Sequence, residues 1–337
     1  MKKGFDTKKY ILAQKEEIFK RTKKFDRLYL EFGGHLPYDG HASRVLPGYN
    51  PKTKLKLLKT LGKLEIIYCV NAKDLSSKKR LGDFNLNYKK QTLKDLRLFK
   101  RAGLKVDYVV ITKFSNEKEA KELKKILDKK VRKVYFHKEV KGYSKSVKKT
   151  IKAYKQNSVV PITSKLIIVT GVAADSGKMA TAMSQIYSDV NRKIKAGFAK
   201  FETFPIHNLP LEHPINIAYE AATADLQDKN EIDPYHLKHY KKKAVNYNRD
   251  IDNFAILMRI SRLITKNKAA FGYHSPTDMG VSNTKAGIIN DEICKQAAIK
   301  EIKRREKVYL HEFKKGREKK ETLKRMEEII KKLKIKN

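Results

Sequence analysis

The chain has little cysteine, no tryptophan, few arginines and no long apolar run. Two cysteines, Cys69 and Cys294, in 337 residues can build neither a disulfide framework nor a four-thiolate zinc centre. No stretch approaches the roughly 18 consecutive apolar residues that a membrane-crossing helix needs, so a transmembrane protein is not expected. The start, Met1-Lys2-Lys3-Gly4-Phe5-Asp6, is basic but leads into no apolar segment of the secretory kind. The expectation is a soluble cytoplasmic protein with no membrane partner. Acidic residues are also scarce beside basic ones: 37 Asp and Glu face 77 Lys and Arg, for a formal net charge of +40.

Such a charge invites nucleic acid, because clustered cations gain affinity for phosphate backbones by releasing counterions. Yet only 15 of the 77 basic residues are arginine, and specific phosphate and base recognition leans on arginine forks. The lysines are spread over almost every segment. A solvated lysine-rich surface explains them more simply than a binding face does.

What is present is an alternation of helical and strand patterns, which predicts an α/β fold. A helix over Lys8 to Lys24 leads to a strand at Leu28 to Phe32 and a Gly-, Pro- and His-bearing loop from Gly33 to Asn50. Helices are expected at Lys52 to Leu61, Leu93 to Ala102, Lys118 to Lys129 and Ser146 to Gln156. Strands are expected at Glu65 to Val70, Val106 to Thr112 and Val134 to His137. A break at Asn157 to Ser164 suggests two α/β halves. The expected division is an N-terminal domain at 1–157, a second α/β and helical domain at 165–290, and a Lys/Glu-rich helical tail at 291–337. That tail shows no wide apolar stripe from Lys300 onward and reads as a solvated helix or docking arm.

The most chemically suggestive stretch opens the second half. A strand, Leu166 to Thr170, is followed by Gly171-Val172-Ala173-Ala174-Asp175-Ser176-Gly177-Lys178 and a helix from Met179 to Ile194. Strand, glycine-bounded loop and helix start make the context in which backbone N–H groups and a lysine hold a phosphate. Gly171 stands one residue too early for the G-x-x-x-x-G-K pattern, and Met179 replaces the Ser or Thr that would hold magnesium. The spacing resembles the loops of dethiobiotin synthetase-like nucleotide-binding proteins, over this loop and the following strand at Phe198 to Phe204 only. In that picture Thr181 or Asp175 helps position a metal, so ATP or another nucleotide with magnesium is an expectation. The plainer alternative is a strand-to-helix turn that needed Gly177 and left Lys178 in water.

From Phe201 to Asp228 there is no Lys or Arg at all. In so basic a chain this suggests a buried or functional segment. Its prolines exclude a helix interior between Phe204 and Pro214, so an ordered loop is expected, then a helix from Asn216 to Leu226. Glu202, His207 and Glu220 are the candidates for acid/base chemistry. His207 and His213 could also ligate a metal, although their spacing fits no tight motif. Further on, Asp250 reads as the cap of a helix over Ile251 to Lys266. Ser275 to Gly280 reads as a turn and N-cap signal.

Long motifs also resemble one family. They are Leu28-Tyr29-Leu30-Glu31-Phe32-Gly33-Gly34 with Asp39 and His41 to Gly48, Ser176 to Thr181, and Ala199 to Ile206. Asn208 to Leu211, His213-Pro214, Ala218 to Leu226, Val245 to Asp250 and Ser275 to Val281 follow in order. The chain resembles the bacterial UPF0371 family, or domain of unknown function 1846, to about Arg305. The resemblance implies a soluble bacterial protein handling a nucleotide or phosphate, and members continue into a C-terminal region that the Lys/Glu tract replaces here. The family's phosphate-type loop is richer in Gly and Pro than Gly171 to Asp175. The motifs bring Lys200, Asp225, Asn248, Arg249 and Asp278 into consideration as cleft residues.

Gly33 to Gly48, with Glu31 near the end of the strand before it, carries His35, Asp39, His41 and Arg44 where α/β proteins place ligands. Arg44 could fork onto a phosphate or carboxylate, or bridge loop carbonyls. The expectation is one cleft between this loop and the one at 171–178. Phosphate would be held by Gly171, Ser176, Gly177, Lys178 and Thr181, and Arg44 would clamp an anionic group. The reaction class favoured is phosphoryl transfer or hydrolysis on a phosphorylated small molecule or nucleotide. A non-catalytic RNA- or ribosome-associated protein is the alternative, and homo-oligomerisation is compatible with either.

Overall fold

The computed structural model describes residues 3–334 apart from 78, 82–83, 141–145 and 268–269; the ends of the tail expected at 291–337 and of the domain expected at 1–157 fall outside them. The strands are β1 (Arg27–Phe32), β2 (Leu64–Asn71), β3 (Tyr108–Thr112), β4 (Lys133–Phe136), β5 (Leu166–Gly171), β6 (Ala196–Phe201), β7 (Asn230–Ile232), β8 (Val245–Tyr247) and β9 (Gly280–Val281). The helices are α1 (Thr7–Thr22), α2 (Gly40–Val45), α3 (Thr53–Lys59), α4 (Tyr88–Arg101), α5 (Lys118–Leu127), α6 (Val147–Gln156) and α7 (Lys178–Asn191). They continue with α8 (Pro214–Ala222), α9 (Pro234–Tyr240), α10 (Asn248–Thr265), α11 (Pro276–Met279), α12 (Asp291–Lys314) and α13 (Lys320–Lys334).

Seven strands form one sheet in the order β4-β3-β2-β5-β1-β6-β9, every neighbouring pair parallel. The α/β expectation holds. Runs such as Leu166-Ile167-Ile168-Val169 are buried throughout, as a parallel sheet covered on both faces requires. β5, from beyond the break at 157–164, lies between β2 and β1, so strands from both stretches interleave in a single sheet. β7 and β8 pair separately as a short antiparallel ribbon.

Three local differences have physical causes. The expected loop after β1 contains α2, whose N-terminus is capped by the Asp39 carboxylate accepting from Ala42 N at 2.9 Å. Six residues are too few for an apolar period to show. α4 starts at Tyr88 because Asn87 caps it, accepting from Lys90 N. The C-terminal tract is not a solvated arm. α12 packs on α8 and α2, burying Cys294, Ala298, Ile302 and Tyr309, while α13 buries Met326 and Ile329. Those positions do recur at helical spacing, with Leu323, Met326, Ile329, Ile330 and Leu333 along one face of α13; the surrounding Lys and Glu hide the stripe when the tract is read as one run.

The chain leaves β1 toward β2 on one side and β5 toward β6 on the other, although β1 and β5 are neighbours. Loops that depart in opposite directions open a crevice at the strand carboxyl ends, the switch point of an open α/β sheet.

Candidate functional site

A cleft of about 1180 Å³ occupies that switch point. Its lining includes Glu31 from β1, Gly33, Gly34, Asp39 and His41 from the segment after it, and Val172 to Asp175 and Gly177 to Thr181 from the loop after β5 and the start of α7. The two loops expected to share a cleft do share one.

Gly177 caps α7 in the left-handed region at φ 80°, and no side chain caps that first turn. A Cβ there would lie 2.7 Å from Thr112 Oγ1, so only glycine fits. Gly171 is equally confined, since a Cβ would meet Ser176 Oγ at 2.1 Å. Lys178 is buried, and its Nζ donates to Ala173 O at 3.1 Å. Burial pushes its pKa down, and the charge of Glu31 opposes that shift. Ser176 and Gly171 do not line the cleft, and the Thr181 hydroxyl accepts from Cys69 Sγ at 3.6 Å. Asp175 is exposed and pairs with Lys113 at 2.6 Å.

Beyond β5, the ends of β1 and β6 bring charges together on the cleft floor. Lys200 pairs with Asp250 from the first turn of α10 and donates to the Tyr247 hydroxyl at 2.8 Å. Burial lowers the Lys200 pKa, but Asp250, Glu31 and Glu202 outweigh it and hold the ammonium above its ordinary value. Glu202 faces His207 Nε2 at 3.3 Å, and both side chains are buried. Burial raises the Glu202 pKa, yet His207 and Lys200 hold the carboxyl below its ordinary value. Glu202 lines the cleft while His207 sits behind it, so the pair can present a carboxylate to a ligand with an imidazole in support.

Several expected site residues do other things. Glu220 is 1% exposed and is taken up by Arg325 at 2.6 Å, by Lys332 and by Asn230 N. It docks α13 and does not line the cleft. Arg44 pairs with Glu301 at 2.8 Å, outside the cleft lining, so the expected anion clamp is an anchor for α12. His213 accepts from Ile215 N at the start of α8 and faces Asp291 at 3.1 Å, outside the cleft lining. Asn248 accepts from Lys229 N, and Asp278 accepts from Tyr240 and His274 N; neither lines the cleft.

The remainder stand on the cleft wall but are engaged. Asp39 pairs with Lys54 at 2.7 Å, His41 faces Glu301 at 3.3 Å, Asp225 pairs with Lys79, and Arg249 forks onto Asp228. Reading the sequence missed Asp250 as the partner of Lys200, since a carboxylate at a helix start reads as a cap. It also missed the wall that α12 supplies through Arg304, Arg305, Lys307 and His311. Among the described residues, no group of three or more His, Cys, Asp and Glu is arranged to hold a metal ion. No described helix is long and apolar enough to cross a membrane.

Fold and cleft together define a parallel α/β protein with a charge-lined crevice at its strand switch point. The chain belongs to the UPF0371 family, and residues 3–334 match the model described as domain of unknown function DUF1846, N-terminal. It is 45% identical over 339 residues to a UPF0371 protein of Clostridium tetani (strain Massachusetts / E88). It is 43% identical over 339 residues to one from Clostridium botulinum (strain Kyoto / Type A2). Each alignment takes in 100% of this chain and 67% of the relative.

Proposed function

We propose that the cleft binds a nucleotide or phosphorylated small molecule, with its phosphate at the start of α7 beside Lys178. One observation carries this reading. Gly177 to Thr181 line the cleft at the N-terminus of a 14-residue helix, with a buried lysine at its first position. Backbone N–H groups and the helix dipole there favour an anion, and Lys178 adds a formal charge in a site that screens it little.

On this reading the protein is an enzyme of phosphoryl transfer or hydrolysis, with Glu202 as acid/base and His207 as its positioning residue. The stretches before and after 157–164 act as two functional parts that supply opposing walls. Magnesium would accompany a nucleotide, brought by its phosphates.

Thermal unfolding against a nucleotide panel, with and without magnesium, tests the reading. A ligand at a hundredfold its Kd stabilises by about 2.7 kcal/mol, and Lys178→Ala should abolish that gain. A nucleotide that binds Lys178→Ala unchanged would show the loop assignment to be wrong. No nucleotide effect, together with RNA binding that falls steeply with salt, would favour the RNA-associated alternative.

A further inference from the structure

Glu31 stands near the end of β1 on the cleft floor and is 8% exposed. Its Oε2 is enclosed and receives no hydrogen bond, and Oε1, which is not enclosed and can meet a ligand, receives none either among the described residues. Other cleft carboxylates are differently placed. Asp39 has Lys54, Asp225 has Lys79, Asp250 has Lys200 and Glu202 has His207, each at ion-pair distance. Among the described residues no cation comes that close to Glu31, although Lys178 and Lys200 both feel its charge.

An ionised carboxylate can only accept hydrogen bonds, and a buried acceptor left without a donor is costly. What Glu31 needs from a ligand is therefore a donor. An unprotonated phosphate oxygen would be repelled. A ligand ammonium would satisfy the carboxylate but would have to enter beside Lys178 and Lys200, whose like charges oppose it. A neutral hydroxyl meets no such opposition. Glu31 lies opposite Val169 on β5, the strand that runs into the loop at 171–178, and it lines the same cleft as Lys178, so the hydroxyl and the phosphate belong to neighbouring parts of one ligand.

We propose that Glu31 accepts a hydrogen bond from a ligand hydroxyl, so that the cleft selects phosphate esters of polyols over esters lacking a nearby hydroxyl. This rests on the phosphate reading of the β5–α7 loop. It adds a specificity residue and a substrate class to that reading.

Calorimetric titration in EDTA with inorganic phosphate, propyl phosphate and glycerol 3-phosphate separates the two ideas. The wild type should bind glycerol 3-phosphate about tenfold more tightly than propyl phosphate, the scale of one hydrogen bond to a charged group. Glu31→Gln should bring that ratio close to one. Glu31→Asp, which keeps the charge but withdraws it, should also lose most of the preference. A ratio near one in the wild type overturns the proposal without any variant. So does a preference that survives Glu31→Gln, or one that appears only when magnesium is added. In those cases phosphate binding that Lys178→Ala weakens leaves the phosphate reading standing. If the wild type fails to bind inorganic phosphate, or Lys178→Ala binds it unchanged, the phosphate reading falls and this proposal falls with it.

Discussion

Glu31 and Glu220 are both buried glutamates, yet the fold treats them in opposite ways. Glu220 is met by Arg325, Lys332 and a backbone N–H, every one from outside its own helix. Glu301 is similar, with Arg44, Arg304, Arg305 and His41 around one carboxylate. These two hold α12 and α13 against α8 and α2. Glu31 is left with an oxygen that no protein donor reaches. Glu65 and Glu202 also carry one enclosed oxygen without a donor, but Glu65 accepts from Thr163 N and Ser164 N and Glu202 faces His207; among the described residues neither a hydrogen bond nor an ion pair meets Glu31, and that is the basis of its proposed role. A saturated carboxylate is committed to structure, and an unsaturated one is free to receive a ligand.

The strongest way to break this contrast is to remove the committed partner. Glu220→Ala leaves Arg325, 3% exposed, with only the exposed Glu328 carboxylate at 2.9 Å and the Asp228 carbonyl, which should cost about 3–5 kcal/mol. Urea unfolding measures it, and a loss below 1 kcal/mol would show that α13 does not depend on this pair. Glu301→Gln should follow at about 3 kcal/mol, because its arginines can turn partly toward solvent. It also carries a pH signature. Burial raises the Glu301 pKa, but Arg304, His41 and Arg305 override it and hold the carboxyl far below its ordinary value. A depressed folded pKa gives stability that is present above the unfolded value, near 4.5, and lost as pH falls below it. The wild type should therefore lose stability on acidification more steeply than Glu301→Gln. Parallel curves below about pH 5 would remove Glu301 from the acid limb.

Much of the scaffold was legible in the sequence because buried parallel strands are continuous apolar runs. Leu28 to Phe32, Glu65 to Val70 and Leu166 to Thr170 each lie within an observed strand. Their order was not legible. Nothing local says that β5 inserts between β1 and β2, since that depends on crossovers tens of residues long. The glycine-bounded loop ending in Lys178 could be found because its geometry is local. The Lys- and Arg-free window from Phe201 to Asp228 was readable as unusual, but its meaning was not. Its Glu220 and Asp228 take their cations from Arg325 and Arg249, far along the chain. Part of that window is thus a receiving surface for other elements. Asp250 and Lys200 show the same limit: fifty residues apart, they form a pair that reads separately as a helix start and a strand lysine.

The smallest expected effect is the most discriminating for the contrast. Glu31→Gln keeps the size and shape of the side chain and removes a charge that no donor satisfies. It loses attraction to Lys178 and Lys200, and it also loses the desolvation cost of a buried carboxylate. The two changes oppose each other, so stability should move by less than about 1 kcal/mol, in either direction, where Glu220→Ala loses several. Thermal unfolding of the two variants side by side makes the comparison without any ligand. If Glu31→Gln destabilises the fold as much as Glu220→Ala, then Glu31 is a structural counter-ion to the two lysines, and burial without a donor is no guide to function here. If it leaves stability near wild type while ligand selectivity changes, the two glutamates divide the labour as their surroundings indicate.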